Sequence, residues 1–184
     1  MAPSTEPPAS PRVTVRSEDP FATPRGERRV DARLRSRFAA PVTIWTAGAA
    51  PERAGLTVSS VLVAEGDPAV MLGLIDSLSD VYDFIVERGR FVVHVLHVGD
   101  QRLAGLFAGT YPADPFEEVD AVDGAFGPVI AGARHLISCE FLGSTDIGFR
   151  ELVCGRIERI DLDPGDSSPL LRYRGQYRKL SPER

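Results

Sequence analysis

Residues 55–68 read GLTVSSVLVAEGDP, and this stretch decides the fold. Leu56, Val58, Val61, Leu62 and Val63 give residues 56–63 the apolar, β-branched character of a buried strand. Glu65, Gly66, Asp67 and Pro68 then make a turn, and AVMLGLI over residues 69–75 predicts a second buried strand. Inside the first strand lie three hydroxyls, Thr57, Ser59 and Ser60. Apolar strands seldom carry so many without a use for them.

Working outward, the same short-strand grammar recurs. Residues 42–46 (VTIWT) predict a strand, and residues 48–55 a turn region. Ser79 stands as an N-cap before a helix with Asp80 and Asp83 in its first turn, and Gly89 closes it. Residues 91–98 predict a strand and 100–108 a short helix. Residues 109–132 are loop-rich, of a length that usually covers something. Two long strands follow at 134–142 and 151–161, with their turn at 143–148. A hairpin around Arg174 and Gly175 ends the chain. Before all of this, residues 27–39 predict a basic helix whose apolar stripe is Val30, Leu34 and Phe38. Residues 1–26, rich in Pro, are expected to be a flexible tail, or an arm reaching a partner subunit. Residues 27–184 form the folded domain. Many short strands with few helices indicate a closed or partly closed β-barrel.

Composition narrows the partners. The 184 residues carry a net charge of −5, which argues against a phosphate backbone or an anionic membrane surface as main partner. The apolar runs are too short to span a bilayer. Cys139 and Cys154 show no C-x-x-C spacing, so no thiolate metal site is expected. They flank a turn near residues 146 and 147, so a hairpin there could set them face to face, as two buried thiols in preference to a disulfide. A cytoplasmic, reducing setting is the expectation. His94 and His97, three apart in a strand, point to opposite faces and do not share a metal. His135 has no obvious partner.

The hydroxyls of Thr57, Ser59 and Ser60 admit two readings. They are either satisfied by neighbouring backbone, or, with the strand's amides, they meet the polar edge of a flat, uncharged ring system such as isoalloxazine. Alternation places Thr57 and Ser59 on one face and Val58 and Ser60 on the other.

The ordered set of motifs resembles the flavin reductase-like family. A Val-Thr-x-x-Thr strand is matched by Val42, Thr43 and Thr46. A Gly-x-Thr-x-Ser-Ser run ending in Pro is matched by Gly55, Thr57, Ser59, Ser60 and Pro68. Gly89, Phe91, Val93 and Leu96 match the next strand, Leu103, Ala104 and Phe107 the next helix, and Pro169, Leu170, Tyr173, Gly175 and Tyr177 the ending. The resemblance implies a mainly β fold, an FMN-binding split β-barrel of Greek-key type with a few short helices, working as a homodimer. It implies NAD(P)H-dependent reduction of flavin, FMN or FAD, with NADH or NADPH as co-substrate and a flavin-dependent monooxygenase as recipient. The alternative is a flavin- or small-ligand-binding module without reductase activity. Flavin is expected along Thr46, Thr57, Val58, Ser59, Ser60 and Ser79, with Arg150 on the nicotinamide side. No catalytic acid or base is assigned, since hydride transfer between stacked rings needs none.

Three departures from the family pattern carry expectations of their own. Glu65 stands where a Ser is usual. Asp76 and Asp80 flank the helix entry where a Lys or Arg is usual, and oppose a phosphate unless Arg53, Arg88 or Arg90 reaches over. Arg150 stands where a His is usual, and suits a dinucleotide phosphate.

Overall fold

A computed structural model describes residues 30–110, 114–165 and 168–180. The expected tail, residues 1–26, lies outside them. A short helix α1 (Val30–Arg35) leads into β1 (Ala40–Pro41), β2 (Thr43–Ala49), β3 (Glu52–Val58), β4 (Val61–Ala64) and β5 (Val70–Ile75). Helix α2 (Asp80–Arg88), β6 (Arg90–Val95) and helix α3 (Gln101–Leu106) follow. The hairpin β7 (Ala121–Gly124) and β8 (Gly127–Ile130) precedes the long pair β9 (His135–Ile147) and β10 (Arg150–Leu162). The chain closes on β11 (Leu171–Tyr173) and β12 (Gln176–Arg178).

Seven strands form one antiparallel sheet in the order β3-β2-β6-β9-β10-β5-β4. Strands β3 and β4 are consecutive in sequence yet stand at opposite edges. Two residues, Ser59 and Ser60, join them. Val58 still faces Thr43 of β2, whereas Val61 already faces Gly73 of β5, and Leu74 N–H donates to the Ser60 carbonyl at 3.0 Å. The sheet therefore curls until its two edges meet across this seam, which gives the expected split barrel. The single strand predicted over residues 56–63 is one extended run shared between two neighbours.

Strand β2 explains the packing on both sides of the sheet, because its residues 43–47 are all buried. Trp45 stacks on Phe91 of β6 with ring centroids 4.7 Å apart, in a core that includes Val58, Met71, Ile75 and Val153. Val81 and Ile85 of α2 pack into the same core. Gly73 is required there, since a Cβ would lie 2.5 Å from the Trp45 ring. On the other side Val42 and Ile44 join Ala104, Leu106, Phe107, Ile130 and Leu170 in a second core.

Five local expectations are corrected. Residues 48–55 are mostly strand, because β3 begins at Glu52 directly after the turn. Residues 109–132 contain the hairpin β7–β8. The turn of the β9–β10 hairpin falls at residues 148–149, since Arg150 faces Ile147. Cys154 therefore faces Gly143 and Cys139 faces Ile157, not each other. Both thiols are free, and only Cys139 is fully buried. Finally, α1 spans six residues, and Val30, Leu34 and Phe38 are all exposed. The Ser36 hydroxyl donates to the Arg33 carbonyl at 2.8 Å at the point where the helix ends.

Candidate functional site

The hydroxyls of the opening stretch divide into two groups. Thr57 is spent on structure. Its Oγ1 donates to the Ala104 carbonyl at 2.8 Å, and its N–H to the Phe107 carbonyl at 2.9 Å. Thr46, fully buried, donates to the Pro128 carbonyl at 2.6 Å. These two threonines tie α3 and β8 onto the barrel. Val58 lies in the core. Ser59 and Ser60 differ. Both are half-buried at the seam, and among the described residues their hydroxyls hydrogen-bond to nothing. A half-buried hydroxyl without a protein partner is available to water or a ligand.

Next to the edge strand β3 lies a cleft of about 450 Å³, within the range of small-molecule sites. Arg53, Gly55 and Leu56 form one wall, Ser79 and Asp80 another, and Phe107 and Phe116 a third. Gly55 lets Phe107 lie flat on the strand, since a Cβ would stand 2.5 Å from its ring. Phe107 and Phe116 pack edge to face, 5.3 Å between centroids. Thr57 turns its N–H away from β2, and alternation points the N–H and C=O of Gly55 the same way. The cleft thus joins aromatic walls, a bare strand edge and a few polar groups. That combination fits a planar heteroaromatic ring with a charged tail.

Helix α2 opens on the cleft. Ser79 occupies the N-cap position, but its hydroxyl donates to the Asp76 carbonyl at 2.6 Å instead of capping. The Asp76 carboxylate accepts from Leu78 N–H at 3.1 Å and from Arg150 Nη1 at 2.8 Å. Arg150 comes from the first residue of β10, across the barrel from β3. One of the two carboxylates expected to repel a phosphate is therefore ion-paired, and Asp80 remains in the cleft wall. Six of the seven sequence-predicted residues accordingly fall in three places: Ser79 in the cleft, Ser59 and Ser60 at the seam, and Thr46, Thr57 and Val58 in the framework. The seventh, Arg150, is paired with the Asp76 carboxylate outside the cleft lining. Glu65 lies exposed in the β4–β5 turn.

Of the three arginines named as phosphate partners, Arg88 reaches Glu52 at 3.2 Å. Arg90 lies over the Phe126 ring and donates to the Ala125 carbonyl. Arg53 alone of the three lines the cleft. Its Nε donates to Asp123 Oδ1 at 2.8 Å, and the second oxygen of Asp123 accepts from Ala50 N–H at 3.1 Å. These contacts hold the Asp123 carboxyl below its usual range, the Arg53 hydrogen bond foremost. Asp123 was invisible in the sequence because its strand read as loop. Phe116 lies in a single 3₁₀ turn, Pro115–Glu117, which carries no periodic signal.

The histidines are structural in different ways. His94 bridges β2 and β8, with Nδ1 3.2 Å from the Ile44 carbonyl and Nε2 accepting from Ile130 N–H at 3.2 Å. Burial pushes its pKa down to about 4, against the pull of the Ile44 carbonyl. His135, expected to lack a partner, accepts from Asp163 N–H at 3.0 Å and meets His97 edge-on.

Comparison with known proteins agrees with this architecture. The flavin reductase like domain matches residues 35–181. Among curated relatives, FMN reductase (NADH) RutF of Methylorubrum extorquens is 28% identical over 151 residues, covering 79% of this chain and 73% of that protein. The reductase subunit HsaB of a flavin-dependent monooxygenase from Mycobacterium tuberculosis is 27% identical over 150 residues, with 80% of each covered. Among solved structures, nitrilotriacetate monooxygenase component B from Mycobacterium thermoresistibile superposes with a TM-score of 0.75 at 28% identity, covering 83% of this chain and 88% of that one. The NADH:FAD oxidoreductase SgcE6 of Streptomyces globisporus, solved with NAD and FAD fragments, gives 0.75 at 25% identity, covering 83% and 92%. With the seam, the split barrel and the match running through them from β1 to β12, the chain belongs to the flavin reductase like domain family.

Proposed function

We propose that this protein is an NAD(P)H:flavin oxidoreductase that reduces FMN or FAD and passes the reduced flavin to a partner monooxygenase. The observation that carries the reading is the match over residues 35–181, joined to relatives named as NADH-dependent FMN reductases and as the reductase subunit of a monooxygenase. The cleft beside β3 supports it, because aromatic walls and a bare strand edge suit a flat ring. Bound flavin supplies the ring that accepts a hydride from the nicotinamide.

The chain's own residues bind and orient. Phe107, Leu56 and Phe116 exclude water from the ring. Ser59 and Ser60 offer hydroxyls at the seam, and Ser79 lines the cleft with its proton committed to the Asp76 carbonyl. Positioning of two stacked rings is the main demand of hydride transfer. The working unit is a homodimer, a reading supported by exposed apolar side chains such as Leu62, Val63, Ile160 and Leu162. The setting is the cytoplasm, a reading supported by two free cysteines. No helix among the described residues is long and apolar enough to cross a membrane.

Loss of NADH or NADPH absorbance on addition of FMN or FAD tests the activity. Oxidation that depends on flavin concentration is the expected result. Flavin binding with no oxidation of either dinucleotide would replace the reductase by a binding module.

A further inference from the structure

Arg53 combines three properties. It lines the cleft, its Nε is fixed on Asp123, and its two terminal nitrogens make no hydrogen bond among the described residues. A guanidinium anchored through Nε keeps a pair of donors in a fixed fork, the geometry that phosphate oxygens accept. Its side chain is 21% exposed, so the charge is partly shielded from water and screened less than a surface arginine. Asp123 holds it from the β7–β8 hairpin, and the same carboxylate grips the β2–β3 turn at Ala50. Asp80 and Asp114 also line the cleft, and among the described residues Arg53 is the cationic side chain of that lining, so an anion there has reason to settle at the Arg53 end.

We propose that Arg53 anchors a phosphate group in this cleft and that Asp123 is the residue positioning it. The ligand chemistry is a nucleotide phosphate. It belongs either to the flavin nucleotide or to the nicotinamide dinucleotide. The inference rests on the flavin reductase reading for the identity of those ligands.

The test uses the full chain and two readouts, equilibrium titration and steady-state NADH oxidation, with FMN and riboflavin compared. If the phosphate is that of flavin, Arg53→Gln weakens FMN about ten-fold, the loss of a charge-assisted hydrogen bond. Riboflavin and NADH are then unchanged. If the phosphate is that of the dinucleotide, NADH weakens by a similar factor and both flavins are unchanged. Asp123→Asn gives the same pattern at smaller size, with KM moving and kcat preserved, and Asp123→Glu recovers most of it. A melting temperature within a few degrees of the parent shows that the variants are folded. Should Arg53→Gln destabilise the chain, Asp123→Asn carries the test with Arg53 in place.

Equal weakening of FMN and riboflavin, or no change for any ligand, overturns the proposal. The two readouts separate it from the functional reading. A selective phosphate effect on binding without NADH oxidation would keep Arg53 and discard the reductase. Normal oxidation by an indifferent Arg53→Gln variant would do the reverse.

Discussion

His94 is a buried base whose neutral form the fold requires. One ring nitrogen accepts from Ile130 N–H, so protonation there breaks a bond between β6 and β8. Its folded pKa of about 4 lies below the ordinary value of 6.5. The unfolded chain therefore binds this proton first as the pH falls. The stabilisation is complete above pH 6.5, declines as the pH falls, and is lost by about 4, with a size on the order of 3 kcal/mol. Burial lowers the pKa of His97 too, so it acts in the same direction. Melting temperature is expected to fall steadily from pH 7 to pH 4.5. His94→Gln, which cannot titrate, should melt lower at pH 7 but with a shallower pH slope. An unchanged slope would place the acid sensitivity elsewhere. Ser59 and Ser60 call for the opposite experiment. Their hydroxyls serve nothing within the described chain, so Ser59→Ala with Ser60→Ala should leave the melting temperature nearly unchanged. Flavin affinity should drop about two- to ten-fold, the net worth of a hydrogen bond or two. A lower melting point with unchanged affinity would make them structural.

At the scale of elements, β3 and α3 are fitted to each other by one missing side chain. Gly55 admits the Phe107 ring, and Thr57 pins the same helix by side chain and backbone. Gly55→Ala must push Phe107 or α3 away, at about 1–3 kcal/mol of overpacking. Adding Phe107→Leu should restore part of the loss in a denaturant titration. No recovery would mean that the strand itself, not the ring, resents the methyl. These elements also show what could be read from the chain. The strands with apolar runs, the helix led by Ser79 and the Arg174–Gly175 hairpin were legible, because alternation, capping and turn residues are local signals. The β7–β8 hairpin was not. Its Asp123 to Gly127 segment is rich in Gly, and its pairing depends on anchors far away in sequence, Thr46 to Pro128 and Arg53 to Asp123. The Cys139–Cys154 facing failed for a similar reason. The turn lies two residues beyond the midpoint between the two cysteines, and register shifts between Cys154 and Gly155 and between Ile157 and Arg159 alter the pairing again. Of the candidate site, residue types were legible but their duties were not. Nothing local distinguishes the hydroxyl of Thr57, which is spent, from that of Ser59, which is not.

At the scale of the molecule, the apolar outer surface is expected to bring two chains together, and light scattering at micromolar concentration should give about twice the chain mass. A stable monomer that still reduces flavin would show the cleft to be complete within one chain. The seam has a consequence in time as well as in space. Ser59 and Ser60 acquire their final surroundings only when β3 has found β2 and β4 has found β5. Strands β6, β9 and β10, which lie between those partners, must be assembled for the curl to close. Ring closure through distant pairings is slow compared with forming local helices and hairpins. During refolding from denaturant, flavin-binding competence should therefore emerge no earlier than the native Trp45 fluorescence, because the Trp45 ring packs on Gly73 of β5 and reports the same closure. A nascent chain on the ribosome would stay unable to capture flavin until β10 has been synthesised.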